Sequence, residues 1–195
     1  MAFRHEARQL HPDWHNNPVP YWGDARARLL IIGLAPGLKG ANRTGRPFTG
    51  DYAGDLLYAT LHKFGLAVGD YAQRPDDGLE LRNTLIVNAV ACVPPENKPT
   101  TEEIATCRQF MTRRLGEQKP TAYLALGRIA HDSLLVALGE KRSSHKFGHG
   151  AEHRLSNGAM LFDSYHCSRY NTNTGVLTTE MFEGVVGRAA AMVAN

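Results

Sequence analysis

"RLLIIGLAPGLKGANRTGRPFTGD", residues 28–51, decides the reading of this chain, because an apolar run there empties directly into a long glycine-rich loop. The run is continuous rather than alternating, as a strand requires when a parallel sheet is covered on both faces. Three further stretches share that character: TLIVNAVA (84–91), AYLALG (122–127) and AMLFDSY (159–165). Helical spacing occupies the intervals, in GDLLYATLHKFGL (54–66), TEEIATCRQFMTRRL (101–115, with Thr101 as its N-cap), RIAHDSLLVALG (128–139) and the closing TTEMFEGVVGRAAAMVA (178–194). Strands alternating with helices predict an α/β fold, a three-layer α/β/α sandwich around a mostly parallel four-stranded sheet.

A length of 195 residues suits one such domain and is short for two. Residues 25–195 are read as the domain and 1–24 as an N-terminal extension packed on it. A hydrophobic fraction of 43% and a charged fraction of 21% are those of a soluble globular protein. No apolar run approaches the ~20 residues of a membrane span, so no membrane partner is expected. The first residues carry no apolar segment or cleavage site of a secretory signal, and the expected location is the cytoplasm. Cys92, Cys107 and Cys167 are too few and too scattered for a disulfide framework, which leaves reduced thiols or metal ligands. The net charge of +3 permits an acidic partner without demonstrating one.

The polar clusters fall at informative places. Each strand runs at its C-terminal end into one: the loop after Gly33, NAVACVPPENKPT (88–100), Gly127-Arg128 and HCSRYNTNTG (166–175). Ligands of open α/β sheets bind at that edge. The loop is not a P-loop, because Gly40 is followed by Ala41 and Asn42, and it lacks the second glycine of the dinucleotide fingerprint. What remains is a loop whose small residues, among them Gly33 and Ala35, let the backbone approach a ligand. Phe48 offers a flat stacking surface beside the acid Asp51, a pairing suited to a planar base next to a reacting sugar.

At this level of detail the chain resembles the uracil-DNA glycosylase superfamily, most closely its family 5. GLAPGLKGANRTGRPFTGD (33–51) and SYHCSRYNTNTGVLTTEMF (164–182) look like that family's two long motifs. CVPPENKPTTEEIATC (92–107) is similar to the segment that carries the last two cysteines of the iron–sulfur site in families 4 and 5. The resemblance extends from about Pro18 to the C-terminus and implies hydrolysis of the N-glycosidic bond of a damaged base flipped out of DNA.

The resemblance assigns the residues as follows. Asp51 matches the catalytic aspartate, with helix N-capping as its competing role. His166 is the donor to the base O2 as negative charge develops there, and its charge state is open. Phe48 stacks on the base, and Asn97 orders the pocket unless it is a plain turn former. Asn88 occupies a place where family 5 typically has a small residue; its amide matches the O4 and N3–H edge of uracil, against a structural reading of equal weight. Asn42, Arg43, Ser168 and Arg169 are the expected DNA contacts, Tyr170 is the wedge filling the gap left by the flipped base, and Asn171 completes this group by holding the loop. The family's 4Fe–4S cluster wants four thiolates, and no cysteine stands beside Cys92 and Cys107 upstream, where His5, His11 and His15 read as surface residues. Either the cluster is lost or the start of the chain is missing, and no cofactor is expected.

The resulting expectation is a monomeric DNA repair glycosylase acting on DNA that contains uracil, with hypoxanthine and other deaminated bases as further candidates. A non-catalytic damaged-DNA-binding module of the same fold is the alternative, disfavoured because both Asp51 and His166 are present.

Overall fold

The computed structural model describes residues 2–194. In chain order the first half contains α1 (Ala2–Leu10), β1 (Trp22–Gly23), β2 (Leu29–Gly33), α2 (Ala41–Thr44), α3 (Tyr52–Lys63), β3 (Ala67–Val68), β4 (Glu80–Leu81) and β5 (Thr84–Asn88). The second half contains α4 (Thr101–Gly116), β6 (Ala122–Leu126), α5 (Arg128–Ala137), β7 (Glu152–Arg154), β8 (Met160–Ser164), α6 (Arg169–Asn173) and α7 (Thr179–Ala191).

The four apolar runs form the parallel centre of one sheet, in the order β5-β2-β6-β8. Two short antiparallel strands, β1 on β5 and β7 on β8, extend it to six, so the expected four-stranded sheet is its core rather than its whole. Both edges escape sequence reading because they are only 2 and 3 residues long and partly exposed, with no apolar periodicity. β1 also means that the sheet begins inside the stretch read as an extension, residues 1–24.

Alternation along each strand feeds two cores. Leu29 and Ile31 face α3 and α7, packing with Leu57, Leu61, Phe182 and Val186, whereas Leu30 and Ile32 face α4 and α5, packing with Met111, Leu115 and Leu134. All four strand residues are fully buried, each worth ~1.5–3 kcal/mol relative to exposure. These layers are the three of the predicted sandwich. The N-cap of α4 is Thr100, not Thr101: its hydroxyl accepts from Glu103 N at 3.1 Å while the Glu103 carboxylate accepts from Thr100 N at 3.0 Å. Only Thr100 stands three residues before a glutamate able to close that box within the first turn.

Strand order reverses at β2. The chain leaves β2 for β5 on one side and then returns to β6 on the other, opening a crevice at the C-terminal strand ends. No helix among the described residues is long and apolar enough to cross a membrane.

Candidate active site

Three of the four strand-end loops meet in one cleft of about 570 Å³, a size that admits a nucleotide. The loop after β2 supplies Ala35, Phe48 and Asp51, the exit of β5 supplies Asn88 and Asn97, and the exit of β8 supplies His166, Ser168 and Arg169. The fourth loop, at Gly127, instead starts α5.

The glycines of the long loop make room for side chains of the site. A Cβ on Gly40 would collide with Asp51 Oδ2, and one on Gly33 would collide with Asn88 Oδ1 and crowd the Phe48 ring. Gly33 and Asn88 are direct partners in the parallel register, which explains the second case. Gly33 therefore is not one of the cleft-lining residues; it acts from beneath, by admitting Asn88 and Phe48, which are.

Asp51 caps a helix and lines the cleft at once. Its Oδ1 accepts from Gly54 N at 3.3 Å and caps α3, while the carboxylate faces the cleft. Burial pushes its carboxyl above the ordinary aspartate value, and the Gly54 and Ala53 N–H groups pull part of that shift back.

Phe48 sits at φ 52°, a left-handed conformation costly for a bulky side chain, at ~1–3 kcal/mol. Its surroundings hold it there. The Tyr71 hydroxyl donates to Phe48 O at 3.1 Å, and the Tyr58 hydroxyl donates to Pro47 O. Beneath them the Arg46 guanidinium lies over the Trp22 ring and donates to Thr49 Oγ1 at 2.7 Å. It also pairs with both oxygens of Asp77, and holds that carboxyl well below the usual carboxylate range.

The Phe48 and His166 rings are nearly parallel, 27° apart with centroids at 5.9 Å. Protein packed around the imidazole lowers its pKa to about 4, which answers the open question of charge: at neutral pH His166 is uncharged. Asn88 is 8% exposed, and its Oδ1 has no hydrogen-bond partner. A buried acceptor without a partner is costly in the free protein, and an N–H donor brought to it would remove that cost. Asn97 lines the rim at φ 57°.

The expected DNA contacts separate. Tyr170, 74% exposed at the start of α6, projects from the rim, and the Arg169 guanidinium lies 5.3 Å from the Tyr52 ring centroid. Ser168 caps α6, and Arg43 is exposed on α2. Asn171 donates its amide to His166 O at 2.8 Å, holding the loop after β8 as its side chain was expected to. Asn42 cannot reach DNA: it is 2% exposed and donates to Asn16 Oδ1 at 3.0 Å, tying the motif to the N-terminal extension. Sequence reasoning missed Lys39 and Tyr52, which line the cleft. A lysine inside a glycine-rich loop and a tyrosine next to Asp51 were the available signals. Nothing in the sequence marked Asp77, which lies 31 residues from Arg46.

A family model described as the uracil DNA glycosylase superfamily matches residues 20–189. The chain belongs to the uracil-DNA glycosylase superfamily. It is 48% identical over 189 residues to the Type-5 uracil-DNA glycosylase of Thermus thermophilus, covering 96% of this chain and 83% of that one. Identity to the Type-5 uracil-DNA glycosylase of Pyrobaculum aerophilum is 42% over 174 residues, with 89% and 76% of the two chains covered. A Type-4 uracil-DNA glycosylase of the same organism is 33% identical over 136 residues, with 69% of this chain and 61% of the other covered.

Cys92 and Cys107, which the resemblance ties to an iron–sulfur site, lie beside an arginine. Arg4 reaches in from α1, donates to Val93 O at 3.1 Å and pairs with Glu103 at 2.7 Å, between the segments that carry Cys92 and Cys107. Burial pushes the Cys92 thiol up while the Arg4 charge pulls it down. Cys167 is buried elsewhere, its thiol donating to Ala53 O. His11 stacks on Trp14, and His15 and His5 contact Pro18 O and Gln9, so these histidines do not converge. Among the described residues this place offers two thiols beside a guanidinium, against the four thiolates that a 4Fe–4S cluster takes.

Proposed function

We infer that this protein is a monofunctional uracil-DNA glycosylase that hydrolyses the N-glycosidic bond of uracil in DNA and leaves an abasic site. The observation that carries the reading is the cleft itself, where a carboxylate, a neutral imidazole, a flat aromatic and an unpartnered amide oxygen face one another. The superfamily membership and the names of the Type-5 relatives agree with it.

The flipped uracil stacks on Phe48 with its N3–H donated to Asn88 Oδ1, and the Asn88 amide NH₂ donates to O4. The C1′–N1 bond breaks with its electron pair leaving on the base. Negative charge on O2 is met by an N–H of neutral His166, which stabilises the anion without first having to lose a proton to it. Positive charge on the sugar is offset by the Asp51 carboxylate, which orients the attacking water and accepts its proton as the new C–O bond forms. Arg169, Ser168 and Arg43 hold phosphates, and Tyr170 fills the gap in the stack. Hypoxanthine presents the same carbonyl beside an N–H, so its excision belongs to the proposal. The enzyme is taken to act as a cytoplasmic monomer without an iron–sulfur cluster, in keeping with Arg4 at the cysteine pair.

Single-turnover incubation with uracil-containing single and double strands, followed by alkaline cleavage, tests the reading. Abasic product is expected in at least one context. Tight binding to both without product would leave only the damaged-DNA-binding module.

A further inference from the structure

Away from the cleft, donors from three elements converge. His131 on α5, His153 on β7 and Asp163 on β8 bring ligand atoms that all lie within 4.8 Å of one another. His131 Nδ1 is 2.7 Å from Asp163 Oδ1, and His153 Nε2 is 3.2 Å from Asp163 Oδ2. His131 and Asp163 are fully buried. The carboxylate has only these two imidazoles as ion-pair partners among the described residues. A carboxylate removed from water needs a positive partner, and two neutral imidazoles supply none.

We propose that His131, His153 and Asp163 form a structural site for a divalent transition-metal ion, Zn²⁺ foremost. Two imidazole nitrogens and a carboxylate oxygen are a donor set that Zn²⁺ takes, with the fourth position left to water or to the His145 ring, whose centroid is 5.4 Å from that of His153. The outer nitrogen of His131 supports the assignment. Nε2 donates to His145 O at 2.9 Å, which turns the Nδ1 lone pair toward the carboxylate, the way metal-bound histidines are held by their far nitrogen. The His153 side chain is 14% exposed, so an ion enters from solvent without the core opening. Bound there, it joins α5 to the edge strand β7 and to β8, three residues ahead of His166. The role is structural bracing of the strand that delivers the catalytic histidine, not chemistry.

The competing counter-charge is a proton on His131, which makes the same residues a hydrogen-bonded clasp. Protein stripped with a chelator, then titrated with Zn²⁺ by calorimetry and with Co²⁺ by visible absorption, separates the two. One Zn²⁺ per chain, tetrahedral Co²⁺ bands and a Zn²⁺-dependent rise in Tm are expected. His153→Ala should weaken Zn²⁺ binding by more than the ~10- to 100-fold that loss of an outer-shell partner costs, and abolish the Tm rise. His153→Cys should restore binding and add a thiolate–Co²⁺ charge-transfer band. His153 is an edge-strand residue, so these variants keep the test open even where Asp163→Asn fails to fold. No stoichiometric uptake, or equal uptake by wild type and His153→Ala, would overturn the metal site in favour of the proton-held clasp.

Discussion

Arg46 and Asp77 form a two-pronged ion pair, 2.8 Å at each contact, whose side chains are 4% and 1% exposed, directly beneath the strained backbone of Phe48. The pair anchors the loop that presents both the Phe48 ring and Asp51. Removing one partner leaves the other charge buried alone. Asp77→Ala should therefore lose ~3–5 kcal/mol of stability, read as a lower urea midpoint, with slower excision wherever the protein remains folded. An unchanged midpoint would show that the pair is not an anchor.

Gly40 and Asp51 are coupled by space rather than by a bond. A methyl group at position 40 meets Asp51 Oδ2, so Gly40→Ala should displace the carboxylate without altering charge. Asp51→Ala should cut single-turnover excision by ~10²-fold or more, and Gly40→Ala should approach that loss. Affinity for uracil-containing duplex should hold in both variants. Full activity in Gly40→Ala would separate the glycine from the carboxylate.

Asn88 should distinguish reading a base from supporting a fold. Because its Oδ1 has no partner in the free protein, Asn88→Ala should leave thermal stability unchanged or slightly higher. Uracil excision should nevertheless fall by ~1–3 kcal/mol of transition-state binding, measured as kcat/KM. A fall in Tm with little kinetic effect would make the residue structural.

Arg169 and Tyr170 should fail differently from Asp51. Arg169→Ala should weaken binding to damaged and undamaged DNA alike and flatten the salt dependence, because a phosphate contact carries no base information. Tyr170→Ala should slow excision in paired duplex and spare single strands, which have no gap to fill. Equal slowing in both contexts would remove the wedge role.

The acid limb of activity should lie well below the ordinary histidine range. His166 is held at about 4 against 6.5 for a free side chain, so excision should show no step near pH 6.5 and decline only at more acid pH, as His166 and Asp51 take up protons. The same shift fixes a stability trend. Between pH 6.5 and about 4 the unfolded chain binds a proton at this site that the folded chain refuses. Stability present above pH 6.5 is thus lost as pH falls through that window. His166→Gln should flatten this part of the urea-midpoint profile relative to wild type.

Much of the fold and part of the site could be read directly. Continuous apolar runs have one stable use in a chain of this size, so β2, β5, β6 and β8 fell where the sequence predicted, and the polar clusters at their ends marked the cleft edge. Asp51, Phe48, Asn88 and His166 stand within those clusters and do line one cleft.

Other features depended on contacts between residues far apart in the chain. The sequence placed Asn42 and Gly33 in the right loop, but only packing decided that Asn42 turns inward to Asn16 and that Gly33 serves Asn88. Likewise no local pattern joins Arg46 to Asp77, Arg4 to Glu103, or His131 to His153 and Asp163. Periodicity and turn chemistry act over a few residues and so determine strands, helices and loop composition. Burial, charge pairing and the neutral state of His166 arise from which distant side chains share a space, and that was decided only when the layers closed around them.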